Sequence, residues 1–529
     1  MIKRLSLAAA LLILGASAVF AAPTDIVPQG AALNDYVAAL AARGYLGDSV
    51  HPNDFTADLL HTRAQLAKIL KTGLIDCDGA DQLRGDASSV ALADLAVNDL
   101  RSELIEQDVD IDALLSSIHL GKKTGAIGYT GTLQPEERIK SGGTARTGSM
   151  LIYRAVTGEA LSPHWSWTLS ASNWAQDWRR NTYNDVGAHS FQGLNEGYIQ
   201  YSGGNGLEIS AGRMFERWGP AMRGAELISD NVPAYDEIKV AFPFSLGAML
   251  GKNWRYTQFA STFNDYEGKR YFEGRRIEYE FSQLWNVDYE EAFKSSYSGS
   301  LAATPMPFLV FKGTNLDYLD SQFNYNAALG LNYSAGPDTR LYTQYFIDDF
   351  RSPLAGDFLG LSLGHSNSQT PRRIGYLFGA STHTGTGTSL TVEYAFADPT
   401  SNVFQNNNAA WERGLYSYIG MPNGPNTQEL SGVFGQDLGE RLRLAVSYRN
   451  RLRHDNSFPE PASREISAGP YYKLDSRQSI GIQYVDYRQD PFTAKLSALP
   501  VGGNVPLSMS NYGTRIRTQE VDATYQVTF

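Results

Sequence analysis

The chain has 529 residues, with 45 basic and 56 acidic side chains and a net charge of −11. That acidic balance argues against a nucleic-acid partner, and the single cysteine, Cys77, excludes an intrachain disulfide. A mean hydropathy of −0.30, with 30 Tyr, 24 Phe and 50 Gly, suits a soluble chain. It equally suits a barrel whose strands turn alternate side chains to a polar lumen.

The amino terminus carries Lys3 and Arg4, then an apolar or small run from Leu5 to Phe20. Val19 and Ala21 are small enough for the −3 and −1 positions of a signal-peptidase site, so residues 1–21 read as a secretory signal. Its removal leaves 43 basic against 56 acidic residues. The other reading, a membrane anchor, needs about 20 apolar residues and the run is shorter. No later apolar stretch is long enough for a helical span, so a membrane crossing would have to be a closed barrel.

Residues 22–120 are rich in Ala, Leu and Asp, and the spacing predicts a small α-helical domain. Asn34 is a good cap before Tyr36, Val37, Leu40 and Ala41, and Gly44 ends that helix. A second helix starts near Thr62, carries Leu66, Ile69 and Leu70, and stops at Gly73. Val90 to Ile118 predicts a longer acidic helix, a bundle helix or short coiled coil. The run from Leu33 to Gly47, with Phe55 and Thr62-Arg63-Ala64-Gln65, resembles an S-layer-homology module. That family implies binding of cell-wall polymer, here through Thr62 and Arg63. Gln65 and Tyr36 depart from its usual acid and tryptophan.

From about residue 121 onward strand signals recur. Leu390, Val392, Tyr394 and Phe396 alternate with Thr391, Glu393 and Ala395, and Leu341, Thr343, Tyr345 and Ile347 alternate with Tyr342, Gln344, Phe346 and Asp348. Segments 442–449 and 480–484 do the same. The charged partners fall on one face, which must look into a polar interior because a charge in lipid costs several kcal/mol. About 400 residues at roughly 20–25 per strand and turn predict on the order of 16–18 strands. The fold class expected is all-β: a transmembrane antiparallel β-barrel over 121–529, preceded by the helical domain. Turns such as 335–338 and 437–440 suit periplasmic ends, and the polar stretches 398–412 and 490–511 suit external loops.

One segment interrupts the pattern: Arg213-Met-Phe-Glu-Arg217-Trp218-Gly-Pro220, with Arg223 following. Pro and Gly break a strand ladder here. Arg213, Arg217, Trp218 and Arg223 suit an acidic polysaccharide, because aromatic faces stack on sugars and guanidinium forks bind carboxylates. Equally, the segment fits a loop folded inside the barrel with its arginines paired to lumen carboxylates.

This stretch, continued by Leu227-Ile-Ser-Asp-Asn-Val-Pro233, resembles the Wzi-like capsule-assembly family of outer-membrane barrels. The segments 341–349 and 416–425 fit the same family in the same order. The resemblance implies a non-enzymatic lectin at the cell surface that holds capsular polysaccharide or exopolysaccharide. The runner-up is a porin for small solutes, tethered to the wall by its helical domain. The last residues, Val521 to Phe529, alternate apolar and polar. Tyr525, Val527 and the terminal Phe529 resemble the signal that the barrel-insertion machinery reads. The remaining partners expected are outer-membrane lipid and surface polysaccharide. His51, His61 and His119 have no metal-ligand spacing. No hydrolase or phosphate-loop motif occurs, so the sequence predicts no catalytic residues, no metal and no cofactor.

Overall fold

Alternating strands joined antiparallel turn polar side chains inward and apolar ones outward, and most of this chain's strands do so. In the computed structural model the described residues are 27–28, 31–47, 50, 61–83, 86–119, 127–141, 146–172, 193–203, 206–221, 225, 227–229, 234–246, 254–265, 268–282, 284–295, 323–335, 339–348, 374–384, 387–397, 412–414, 417–418, 427–439, 441–453, 462–475, 477–489 and 516–528. The secretory-signal reading of residues 1–21 and the terminal Phe529 lie outside them.

The first wall strands are β1 (Gly128–Ser141), β2 (Arg146–Ala160), β3 (Trp165–Ser172), β4 (Gly193–Ser202), β5 (Glu208–Met214) and β6 (Tyr235–Phe244). Then come β7 (Trp254–Asp265), β8 (Gly268–Ser282), β9 (Trp285–Ser295), β10 (Phe323–Ser334), β11 (Thr339–Asp348), β12 (Ile374–His383) and β13 (Thr388–Ala397). A small hairpin, β14 (Glu412–Gly414) and β15 (Ser417–Tyr418), stands apart as its own two-stranded sheet. The wall resumes with β16 (Thr427–Leu438), β17 (Leu442–Arg453), β18 (Ser463–Lys473), β19 (Gln478–Gln489) and β20 (Ile516–Thr528). Each strand pairs antiparallel with the next, and β20 pairs back onto β1 with Val527 opposite Leu133, closing an 18-stranded barrel. No sheet edge is left open in such a wall.

The last strand faces as its alternation requires: Val521 and Tyr525 are exposed outward, and Asp522 is buried inward. On β11 and β13 the outer face is Leu341, Tyr345, Leu390 and Val392, and the inner one is Tyr342, Gln344 and Glu393. Strands β8 and β9 depart from the rule. Arg275 and Glu291 alternate with the inward Arg276 and Glu290, yet all four are buried. Within the outward set Arg275 Nη2 donates to Glu273 Oε1 at 2.9 Å and Tyr289 donates to Glu291 at 2.6 Å.

The two barrel ends differ. At one, connections have at most nine residues; at the other, six have twenty or more. The turns at 335–338 and 439–441 belong to the short end, and the segments 398–411 and 490–515 join strands at the long end.

Among the described residues six α-helices precede the wall: α1 (Ala32–Ala42), α2 (Arg63–Lys71), α3 (Gly79–Gln82), α4 (Ala87–Asp99), α5 (Arg101–Glu106) and α6 (Ile111–His119). Their apolar faces form one core, with Tyr36, Leu40, Leu66, Leu70, Leu92, Leu104 and Leu114 all in it. Asn34 is not the cap of α1; that helix starts two residues earlier, and Asn34 donates to Pro28 O instead. Gly73 does not stop the chain either, since α2 runs on into a π-helical turn over Thr72–Asp76. The single long helix expected from Val90 to Ile118 is three short ones. It breaks at Leu100 and again at Asp108, which holds φ +60°, so its loose heptads report globular packing and not a coiled coil.

Thr62 caps α2: its hydroxyl accepts from Gln65 N at 3.1 Å, and Thr62 N donates to Gln65 Oε1 at 2.8 Å. Asp86 caps α4 through the N–H groups of Ser88 and Ser89. Burial alone would raise the Asp86 carboxyl, but Ser89, Arg43 and Ser88 hold it below its ordinary value. Asp86→Ala is expected to cost the helical domain about 1 kcal/mol, read as lost hydrogen-exchange protection of the α4 amides. A lowered folded pKa gives stability that is complete above the ordinary carboxylate range and is lost as pH falls through the depressed value. The wild-type and D86A protections should therefore converge in acid.

Candidate functional site

Helix α1 enters the barrel with its N-terminus facing the wall. Ala32 N donates to Glu196 Oε2 of β4 at 2.7 Å, so a wall carboxylate occupies the place a capping side chain would take. Asp35 accepts from Arg154 of β2 at 2.6 Å, and Tyr36 bonds to Thr168 of β3 at 2.8 Å. Burial pushes the Asp35 carboxyl above its ordinary value, against the opposing pull of Arg154. Further along, Arg101 donates to Pro163 O at 2.7 Å in the short turn between β2 and β3, which places the helices at the short-turn end. Gly158 and Gly128 let them approach: a Cβ on Gly158 would lie 2.9 Å from Leu95, and one on Gly128 would lie 3.0 Å from Leu92.

From the other side, the segment after β5 folds inward. Trp218 N donates to Ile228 O at 2.9 Å, making an isolated bridge that closes a loop in the lumen. Trp218 is 3% exposed. Its ring meets Phe259 of β7 edge-on at 5.2 Å, within a cluster that includes Tyr235, Phe263, Phe272 and Phe346. Its Nε1 donates to Glu216 at 2.9 Å, and Glu216 is paired in turn with Lys239. Gly219 holds φ +121°, and a Cβ there would lie 2.8 Å from the Gln344 side chain of β11. Arg217 donates to Ala221 O, and Ala221 packs with Tyr342, Leu377 and Ala395 on the far wall. The Trp-Gly-Pro segment thus crosses from β5 to the β11–β13 side.

Between the two intrusions lies a polar cavity of about 140 Å³, bordered by Arg63, Glu208, Glu216, Lys239, Arg255 and Arg276. Its charges are paired in chains. Arg255 meets Glu208 at 2.9 Å, and Arg276 meets Glu278 and Asp288 at 2.9 Å each. Ser102 of α5 donates to Glu208 at 3.1 Å, tying the helices to this network.

The structure brings Arg217 and Trp218 together in the lumen and separates them from Arg213. Arg213 faces outward on β5 and is held by Asp236 at 2.7 Å. Arg223 lies outside the described residues. Neither Arg217 nor Trp218 is presented at the surface, since both are buried as parts of the lumen loop. Thr62 is employed as a helix cap. Arg63 meets Asp99 at 2.8 Å and pairs with Glu103. Burial opposes the charge of Arg63, but Glu103 and Asp99 hold its pKa well above the ordinary value. Sequence reasoning missed Glu196, Glu208 and Arg255. The available signal was an ionisable side chain at an inward strand position, which shows facing but not which strands meet across the lumen. Among the described residues no group of three His, Cys, Asp or Glu side chains could hold a metal.

A closed antiparallel wall, apolar outside and filled with ion pairs inside, defines an outer-membrane-type β-barrel with an occupied lumen. No family model matches the chain, and no curated protein sequence matches it. Among solved structures it is similar to Wzi of Escherichia coli, described as an outer membrane protein involved in group 1 capsule assembly and a carbohydrate-binding β-barrel. The TM-score is 0.52 at 14% identity, over 96% of this chain and 99% of that one. It is also similar to the anion-selective porin of Comamonas acidovorans, with TM-score 0.36 and 11% identity over 76% and 99% of the two chains. A third match, OccK11 of Pseudomonas aeruginosa, gives 0.40 and 9% over 76% and 96%. The likeness to Wzi establishes the fold; the two lower scores add nothing to it.

Proposed function

We propose that this protein is an outer-membrane barrel that holds capsular polysaccharide or exopolysaccharide at the cell surface and does not serve as a diffusion channel. The observation that carries the reading is the lumen. Helices bonded to β2, β3 and β4 enter at one end, and the Trp218 segment crosses to β11 from the other. A diffusion porin needs a continuous wet path. The carbohydrate binding named for Wzi agrees with this reading.

Short turns are characteristic of the periplasmic end of such barrels and long loops of the external end. The helical domain is then periplasmic, and the glycan rests on the long-loop end. Arg217 and Trp218 act beneath it, fixing the floor from which the external loops rise. Arg63 is committed to Asp99 and Glu103, so binding of cell-wall polymer is not part of the proposal. The insertion machinery reads the tail through Tyr525, Val527 and Phe529.

In a planar bilayer the purified full chain is expected to show little ion conductance. It should also be retained on immobilised acidic exopolysaccharide such as alginate or polyglucuronate. Large steady channels without polysaccharide retention would establish the porin in its place.

A further inference from the structure

The outer wall carries a basic row that no lumen network uses. Arg464 of β18 stands opposite Arg488 of β19, and Arg488 stands opposite Arg517 of β20. In a strand, residues in register on neighbouring strands point to the same face. That face is the outer one, because Ile482, Tyr484 and Val521 share its alternation and are exposed. Three guanidinium groups therefore line up on adjacent strands, facing away from the barrel.

Their counter-charge is incomplete. Asp486 accepts from Arg488 Nη2 at 2.9 Å and from Arg517 Nε at 3.0 Å. Among the described residues it is the sole acid on the outer face of β17–β20, since Glu465 and Asp522 are buried inward and Glu520, in register with the buried Val485, shares the face of Asp522. Arg464 lies over the Tyr448 ring at 5.6 Å and pairs with no carboxylate among the described residues. The row keeps an excess of two positive charges. The side chains of Arg488 and Arg517 remain 51% and 53% exposed. Elsewhere on the outside, Arg213 is balanced one-to-one by Asp236.

The height of the row is informative. Eight residues of β19 separate the outward Ile480, beside Tyr472 and Tyr525, from Arg488. With a rise of about 3.3 Å per residue and a tilt near 40°, the row stands roughly 20 Å above that aromatic level. An apolar band of about 25 Å between girdles puts it at the opposite membrane interface, on the long-loop side. Headgroup phosphates sit at that depth, with acyl chains below them.

We infer that Arg464, Arg488 and Arg517 form a binding site for the phosphate of a net-anionic lipid headgroup in the leaflet at the long-loop end. Guanidinium forks bind phosphate oxygens in paired, charge-assisted hydrogen bonds. Asp486 pre-sets two of the forks without cancelling all three charges. Ile482, Tyr484 and Val521 offer the apolar surface for the chains. An acidic polysaccharide would need these groups at the mouth, whereas they face sideways above the apolar band. The inference rests on the barrel lying in a membrane and not on the polysaccharide reading.

The test uses the full chain in dodecyl maltoside with equal amounts of phosphatidylglycerol and phosphatidylcholine, and native mass spectrometry of the retained lipid. The wild type is expected to favour phosphatidylglycerol about ten-fold. Replacing Arg464, Arg488 and Arg517 together by Gln should bring the ratio close to one, while Arg213→Gln leaves it unchanged. Heat-modifiable gel mobility reports folding. If the triple variant fails to fold, Arg464→Gln, which has no ion pair to lose, should still lower the ratio by about a third or more. An unchanged ratio in the folded variants overturns the inference. So does loss of alginate retention with the lipid ratio intact, which would make the row a glycan site.

Discussion

Trp218→Ala is expected to destabilise the folded barrel by about 3–5 kcal/mol, the range for emptying a buried aromatic site. The ring has no room to be replaced by a neighbour. Phe259 meets it at 5.2 Å, and Gly274 lies under it so closely that a Cβ would be 2.7 Å from Trp218 Cη2. Wall strands cannot collapse inward to fill the void, because each is fixed on both sides by its ladder. Deletion also removes the Nε1 donor to Glu216 and leaves that buried carboxylate with Lys239. Trp218→Phe keeps much of the apolar volume and should cost about half as much. Urea unfolding in lipid vesicles, followed by fluorescence or by heat-modifiable mobility, measures both. An effect under about 1 kcal/mol for W218A would mean that the ring is not part of the packed lumen. Arg213→Gln, at an exposed surface pair, should change stability by less than about 1 kcal/mol.

The wall was legible from residues 121 onward because side-chain period and facing are linked by strand geometry alone. Glu393 between Val392 and Tyr394 needs a wet side, and Val521 opposite Tyr484 needs a greasy one. The strand number came within the expected 16–18 because span length is fixed by membrane thickness. The interior was less legible. Trp218 sits where a sugar platform and a buried lumen anchor have the same local sequence, and only the distant Phe259, Gly274 and Gln344 decide between them. The start of α1 was misplaced for a similar reason. Asn34 is a good local cap, but Glu196, 164 residues away, supplies the acceptor at Ala32. Local pattern cannot report a partner delivered by closure of the barrel. The long acidic helix failed differently: its apolar positions satisfied one stripe in sequence, while its three pieces turn Leu92, Leu104 and Leu114 into one core.

Removing the helical domain is expected to convert the protein from a closed barrel to a conducting one. The helices carry their own core, to which the wall contributes Val156. Their remaining ties to the strands are chiefly polar: Ala32 to Glu196, Asp35 to Arg154, Tyr36 to Thr168 and Ser102 to Glu208. Without the helices these wall groups become wet, which relieves their burial instead of stranding them in a dry interior. The wall itself closes through β1 and β20 without any helical residue. A chain lacking residues 27–119 should therefore still fold as a heat-modifiable barrel. Its conductance in a planar bilayer should exceed that of the full chain by about ten-fold or more, as expected when an 18-stranded lumen is partly emptied. The Trp218 segment still crosses the lumen, so the opened channel should remain narrower than an unobstructed barrel of this strand number. Combining the deletion with W218A should widen it further. If the deleted, folded barrel stays as tight as the full chain, the seal belongs to the Trp218 segment and the helices are passengers at the barrel's end.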